Sequence, residues 1–136
     1  LDDEKIDEIW NLVIVKIRSD ILELILKLKR KYLIMILSNT NSIHKNFFDK
    51  LCVDLHGKTF EKLFDNAFYS FELKCRKPDK EIYDKVVAES KYLPSEIIFF
   101  DDMKENLVEC NKMGMSTYHV KSTLELKSFL SDLILN

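Results

Sequence analysis

Two aspartates in succession, Asp101 and Asp102, follow directly on the apolar run Ile97-Ile98-Phe99-Phe100. Adjacent carboxylates repel each other unless a cation lies beside them, and hard oxygen donors of this kind suit Mg2+. The same pair also makes an ordinary helix cap, a position that favours Asp. A second polar cluster, Ser38-Asn39-Thr40-Asn41, follows another apolar run, Tyr32 to Leu37. Short hydroxyl and amide side chains there can donate to an oxyanion, either directly or through backbone N–H groups that open the next helix. They serve equally well as a turn and cap. Lys77 stands just before Pro78, and Pro is suited to the first position of a helix. A lysine at such a point can reach across a sheet edge toward phosphate or a carboxylate. Lys74 and Arg76 beside it are unremarkable in a polar loop.

These groups need elements to position them. Continuous apolar runs such as Ile97–Phe100 and Tyr32–Leu37 predict strands buried on both faces of a parallel sheet. Acids where such a strand stops then sit at its carboxyl edge, where open α/β folds place ligands. From Ser19 onward Ile21, Leu24, Ile25 and Leu28 recur at helical spacing, with Ser19 or Asp20 as cap. The basic run Lys27, Lys29, Arg30 and Lys31 is expected as the solvated last turn of that helix. Ile43 to Leu51 predicts a helix with an apolar side of Phe47, Phe48 and Leu51, and Gly57 marks a break after it. Ala67 to Phe71 predicts a short strand, and Pro78 opens a helix through Ile82, Tyr83, Val86 and Val87. After Asp102 a helix runs past Leu107, Cys110 and Met113 to Gly114, placed for a left-handed cap. Ser116 to Val120 predicts a strand, and Ser122 with Glu125 has the spacing of a capping box opening a last helix. Helix and strand alternate throughout, which predicts an α/β fold: a three-layer, Rossmann-like parallel sheet with helices on both faces.

The 136 residues suffice for one domain with a real core. With 21 basic and 23 acidic residues the net charge is -2, which argues against a nucleic-acid or membrane-surface binder. No apolar run approaches the roughly 20 residues that span a bilayer, and the acidic start is unlike a secretory signal. Cys52, Cys75 and Cys110 lack paired metal spacing and read as reduced thiols of a cytoplasmic protein. Only Gly57 and Gly114 occur, so a glycine-rich dinucleotide loop and a P-loop are both excluded. His44 and His56 have no ligand-like partner in sequence and are expected to be surface or hydrogen-bonded histidines. The first residue is Leu1 rather than Met, and the chain is expected to be a piece of something longer.

Taken in order, Leu37-Ser38-Asn39-Thr40-Asn41, Arg76-Lys77-Pro78 and Phe99-Phe100-Asp101-Asp102, followed by Asn106 and Met113-Gly114, form a pattern. It resembles the second, third and fourth motifs of the haloacid dehalogenase-like (HAD) superfamily of hydrolases, and in particular its sugar-phosphate phosphatase subgroup. The resemblance covers roughly Trp10 to Val120. It implies a Mg2+-dependent phosphatase acting on a small phosphorylated substrate. By that resemblance Ser38 hydrogen-bonds the transferring phosphoryl oxygen, and the backbone N–H of Asn39 is a second donor. Lys77 offsets the negative charge of nucleophile and phosphoryl group. Asp101 ligates Mg2+, and Asp102 or Asn106 holds the metal's shell directly or through water. Positioned cations and donors lower the barrier because a phosphoryl group spreads its charge over its oxygens.

The family's first motif, an aspartate nucleophile with a second acid two residues on, has no counterpart upstream of Ser38. Asp2, Asp3, Glu4, Asp7 and Glu8 follow no apolar strand. Residues 1–15 are therefore expected to be the end of a cap region and the entry to the core. Residues 16–136 are expected to form a HAD-like core, incomplete at its amino-terminal end. Such a chain alone is expected to give no phosphatase turnover, since it cannot form an aspartyl-phosphate. Three rival readings are weighed. A non-catalytic HAD-fold binding module is permitted by the missing nucleophile. A phosphoacceptor receiver domain needs the acid pair before the hydroxyl and lysine, the reverse of the order here. A haloacid dehalogenase has no use for the Mg2+ that the aspartate pair is suited to hold.

Overall fold

The computed structural model describes residues 20–136, so the expectation for residues 1–15 lies outside it. The chain divides into two compact units. One comprises residues 20–36, 40–67 and 123–136 of the described chain, the other Leu37–Asn39 and Phe68–Ser122. No described helix is long and apolar enough to cross a membrane.

In the first unit, helix α1 covers residues 20–28, α2 is Ser42–His56, α3 is Phe60–Leu63 and α7 is Thr123–Leu135. Leu22 of α1, Cys52 of α2 and Leu63 of α3 pack with Phe64 into one cluster, against which Ile25, Ile34, Ile36 and Phe48 lie. The ends of α2 follow from its flanking residues. Asn41 accepts the His44 N–H at 2.9 Å, satisfying a donor that a helix start leaves over. At the other end Gly57, at φ 76, donates its N–H to Val53, the left-handed exit that glycine allows. Lys45 bonds Asp49 at 2.8 Å and Glu61 at 3.0 Å, tying α2 to α3. The two carboxylates, Asp49 first, hold the Lys45 ammonium above its usual range against the opposing pull of burial.

The basic run does not form a last helical turn, because α1 ends at residue 28 and Lys29 to Lys31 lie in the turn after it. Lys29 Nζ donates to the Leu63 carbonyl at 2.7 Å and Lys31 Nζ to that of Ile134 at 2.9 Å. Two of the four cations thus bond carbonyls at the ends of α3 and α7 instead of facing only water.

Gly57 also gives a clean stability prediction. A Cβ there would meet nothing within 4 Å, so Gly57→Ala suffers only from the positive φ, a cost of about 1 kcal/mol. Gly57→Asn, which tolerates this conformation better, should lose less, and urea unfolding of the two variants measures the difference.

The second unit holds strand β3 (Ile98–Asp101) and strand β4 (Ser116–His119), parallel and in register from Ile98↔Ser116 to Asp101↔His119. Between them runs α6 (Glu105–Lys112), and before β3 come α4 (Ser70–Leu73) and α5 (Lys80–Ser90). Gly114, at φ 96, follows α6 where the sequence places a left-handed cap. Ile82, Tyr83, Cys110 and Met115 form the buried cluster, with Leu37, Leu73, Val87, Ile97 and Phe99 packed against it. Tyr83 and Phe99 meet edge to face at 5.7 Å.

Strand β1 (Met35–Ser38) pairs with β2 (Asn66–Tyr69), so the described strands form two two-stranded sheets. The fold is α/β as expected, but β3 is less enclosed than its composition predicts. Side chains alternate along a strand. On one side Phe99 packs on Tyr83 and Asp101 is buried; on the other, Ile98 is 40 % exposed. Pro78 also differs from expectation. It follows a cis Lys77–Pro78 bond and lies in a turn, with α5 starting only at Lys80 behind Asp79.

Candidate active site

Two strand ends and one turn of the second unit supply the polar residues singled out in the sequence. Strand β1 stops at Ser38 and β3 at Asp101. Between them stands Lys77, whose Nζ donates to Asp101 Oδ2 at 2.8 Å and to the Leu37 carbonyl at 3.2 Å. Its ammonium lies 5.7 Å from the centre of the Phe99 ring, a distance at which the ring face attracts a cation. The lysine side chain is 12 % exposed and that of Asp101 only 5 %, so the pair is sheltered from screening by water.

Asp101 is the most heavily bonded group. Besides Lys77, its Oδ2 accepts Asn106 Nδ2 at 3.1 Å, and its Oδ1 accepts the Met103 N–H at 2.8 Å. Burial alone would raise its carboxyl, but Lys77, the Met103 amide and Asn106 together outweigh it and hold Asp101 below the usual carboxylate range. Asp102 is exposed yet shifts the other way: partial burial, and then the Asp101 carboxylate beside it, raise its carboxyl. The Asp102 carbonyl lies 2.9 Å from His119 Nε2, and the neighbouring β4 backbone adds a bond from Val120 N to the Asp101 carbonyl.

Asn106, 4 % exposed, is fixed from behind. Its carbonyl accepts the Tyr83 hydroxyl at 2.7 Å and the Cys110 thiol at 3.5 Å. Burial raises both of these groups, the Cys110 thiol to about 11, so each stays protonated and able to donate. Asn39 uses its carboxamide on the Lys77 main chain: Nδ2 donates to the Lys77 carbonyl at 3.0 Å, and Oδ1 accepts the Lys77 N–H at 2.9 Å.

Lys77, Asp101, Asn106 and Asn39 are thus joined by hydrogen bonds, with Ser38 between two residues that bind Lys77. Asp102 adjoins Asp101 and is the more exposed of the two. Sequence reasoning gave Tyr83 only as an apolar helix position. A buried tyrosine hydroxyl needs a partner, and that requirement was the available signal for its bond to Asn106. The Leu37 carbonyl and Met103 amide are backbone groups and carry no signal in residue type.

The oxygen donors suit Mg2+ in kind. Asp101 Oδ1 accepts the Met103 N–H and retains a lone pair, and Asp102, raised first by burial and then by the Asp101 carboxylate, lies next to it. Among the described residues no group of three or more His, Cys, Asp or Glu gathers to enclose a metal. Mg2+ is usually bound by one or two carboxylates together with water and phosphate oxygens, and Asp101 with Asp102 are the carboxylates that would hold it here.

Comparison with known proteins follows the same direction. The family model for haloacid dehalogenase-like hydrolases matches residues 2–107. A D-ribitol-5-phosphate phosphatase from Bacteroides thetaiotaomicron is 30% identical over 115 residues, covering 85% of this chain and 55% of that protein. A HAD family enzyme of the same organism, bt-2542, solved with magnesium and inorganic phosphate, superposes with TM-score 0.68 at 32% identity. It is matched over 88% of this chain and 61% of its own. A HAD-like family hydrolase from Porphyromonas gingivalis gives TM-score 0.70 at 27% identity, over 74% of this chain and 49% of its own. The chain therefore spans roughly half to three fifths of the length of these relatives.

Proposed function

Since the chain belongs to the haloacid dehalogenase-like hydrolase family, we propose that it carries the phosphate and Mg2+ site of a phosphohydrolase acting on a small phosphorylated metabolite of the sugar-phosphate class. The observation that carries this reading is the position of the Lys77 ammonium. It is held between the Leu37 carbonyl, next to Ser38, and the Asp101 carboxylate, so that cation and acid meet at the ends of two strands in one unit with Ser38 adjacent in the chain. In this reading Ser38 and the Asn39 N–H donate to a phosphoryl oxygen, Lys77 balances its charge, and Asp101 with Asp102 or Asn106 holds the metal. Bound Mg2+ would supply further charge neutralisation to the phosphoryl oxygens. The names of the relatives, a ribitol-phosphate phosphatase and an enzyme holding magnesium and phosphate, support the substrate class and the cofactor.

The nucleophilic aspartate is proposed to come from outside these 136 residues, with residues 1–15 as the end of a cap region. Accordingly the chain by itself should not hydrolyse p-nitrophenyl phosphate. The three free thiols accord with a cytoplasmic setting.

Binding tests the site without turnover. Calorimetric titration with Mg2+ should show at least a tenfold loss, roughly, for Asp101→Ala. Titration of the Mg2+-loaded chain with inorganic phosphate should show a loss of about tenfold for Ser38→Ala. Unchanged Mg2+ affinity in Asp101→Ala removes the metal assignment, and unchanged phosphate affinity in Ser38→Ala removes the phosphate assignment.

A further inference from the structure

Lys77 is gripped at both ends by two nearby residues at one strand end. Leu37 takes the ammonium through its carbonyl, and Asn39 takes the main chain through two bonds, at 2.9 and 3.0 Å. Ser38 lies between them. The Asn39 carboxamide presents one acceptor and one donor to the Lys77 N–H and C=O, as a neighbouring strand would. This matters because Lys77 lies in a turn, outside helix and strand, where no regular ladder fixes it. Within that turn Asp79 N bonds the Arg76 carbonyl and Arg76 Nε reaches the Lys77 carbonyl at 3.5 Å, so the two shorter bonds to the Lys77 peptide groups are those of Asn39.

We propose that Asn39 is a positioning residue whose side chain locks Lys77 in register with Ser38, so that ammonium and hydroxyl reach the same anion. This rests on the phosphate reading above and assigns the Asn39 side chain a role distinct from its backbone donor. Two bonds from one planar group fix orientation as well as distance, which a single bond does not. With the main chain anchored, the ammonium stays within reach of both Leu37 and Asp101. Without Asn39 the turn can shift while the salt bridge persists, carrying the cation away from Ser38.

Amide hydrogen exchange on the 15N-labelled chain gives a readout independent of phosphate. The Lys77 N–H should be protected in the parent and exchange at least tenfold faster, roughly, in Asn39→Ala, since a lost bond is worth about that factor. Asn39→Asp keeps the acceptor and should keep the protection. Phosphate titration of the Mg2+-loaded chain then supplies a double-mutant cycle. Asn39→Ala should weaken binding by about tenfold in the parent and by less than about twofold in a Lys77→Ala background, because a residue acting through another loses its effect when that partner is gone. If Asn39→Ala does not fold, Asn39→Ser, whose side chain is too short to make both bonds to the Lys77 peptide, takes its place in both measurements. Equal losses in both backgrounds, or unchanged Lys77 exchange in Asn39→Ala, overturn the positioning role. A parent that binds no phosphate strikes the functional reading itself, an outcome distinct from an additive cycle in a parent that does bind.

Discussion

Lys77→Met should destabilise the metal-free chain by about 3–5 kcal/mol, the usual range for removing one partner of a buried ion pair. The magnitude comes from what is left behind. The Asp101 side chain is 5 % exposed, and without the ammonium its charge keeps only the Met103 and Asn106 donors. Lys77→Met with Asp101→Leu should recover much of the loss, since replacing both charges avoids the orphan. The pH dependence has a definite sign. In the parent, Asp101 is held below the ordinary carboxylate range, so its contribution is present above that range and is lost as pH falls through the lowered value. In Lys77→Met the effect of burial is far less opposed, and its carboxyl rises. Protonation then relieves the variant before it harms the parent, and the stability gap between them narrows on acidification. Urea unfolding at neutral and acidic pH measures this. A gap that widens in acid would mean that Lys77 does not stabilise the charged form of Asp101.

The second large effect is expected at Tyr83. It is 1 % exposed and packs edge to face on Phe99, so Tyr83→Ala should cost about 3–5 kcal/mol by loss of burial and creation of a cavity. Tyr83→Phe keeps the ring and removes only the donor to the Asn106 carbonyl. About 1–2 kcal/mol should follow, since the Cys110 thiol at 3.5 Å is a weak replacement. The conservative variant is the more informative. If Tyr83 holds Asn106 at the proposed metal shell, Tyr83→Phe should also weaken Mg2+ binding several-fold, roughly as other outer-shell changes do. A Tyr83→Phe chain as stable as the parent and with the same Mg2+ affinity would show that the hydroxyl supports neither.

The elements were legible where local chemistry decides them. Asn41, Gly57 and Gly114 announce helix ends in their residue types, and the strands end where Ser38 and Asp101 follow apolar runs. Pro78 misled, because a proline before a helix has more than one place to stand, and here a turn separates it from α5. The enclosure of β3 was overestimated since an apolar run records what a strand can bury, whereas Ile98 depends on neighbours that residue type does not reveal. At the site, the types and order of Ser38, Lys77 and Asp101 were readable. The use of Asn39 on a peptide group 38 residues away, or of Tyr83 on the Asn106 carbonyl, was not, because long-range partners leave no trace in spacing.

An ammonium group has three protons, and in Lys77 the Leu37 carbonyl and the Asp101 carboxylate account for two. On the proposed reading the third is the one offered to a phosphoryl oxygen. If Lys77 meets phosphate as proposed, capture opens neither of these bonds, and its rate should be limited by encounter and desolvation.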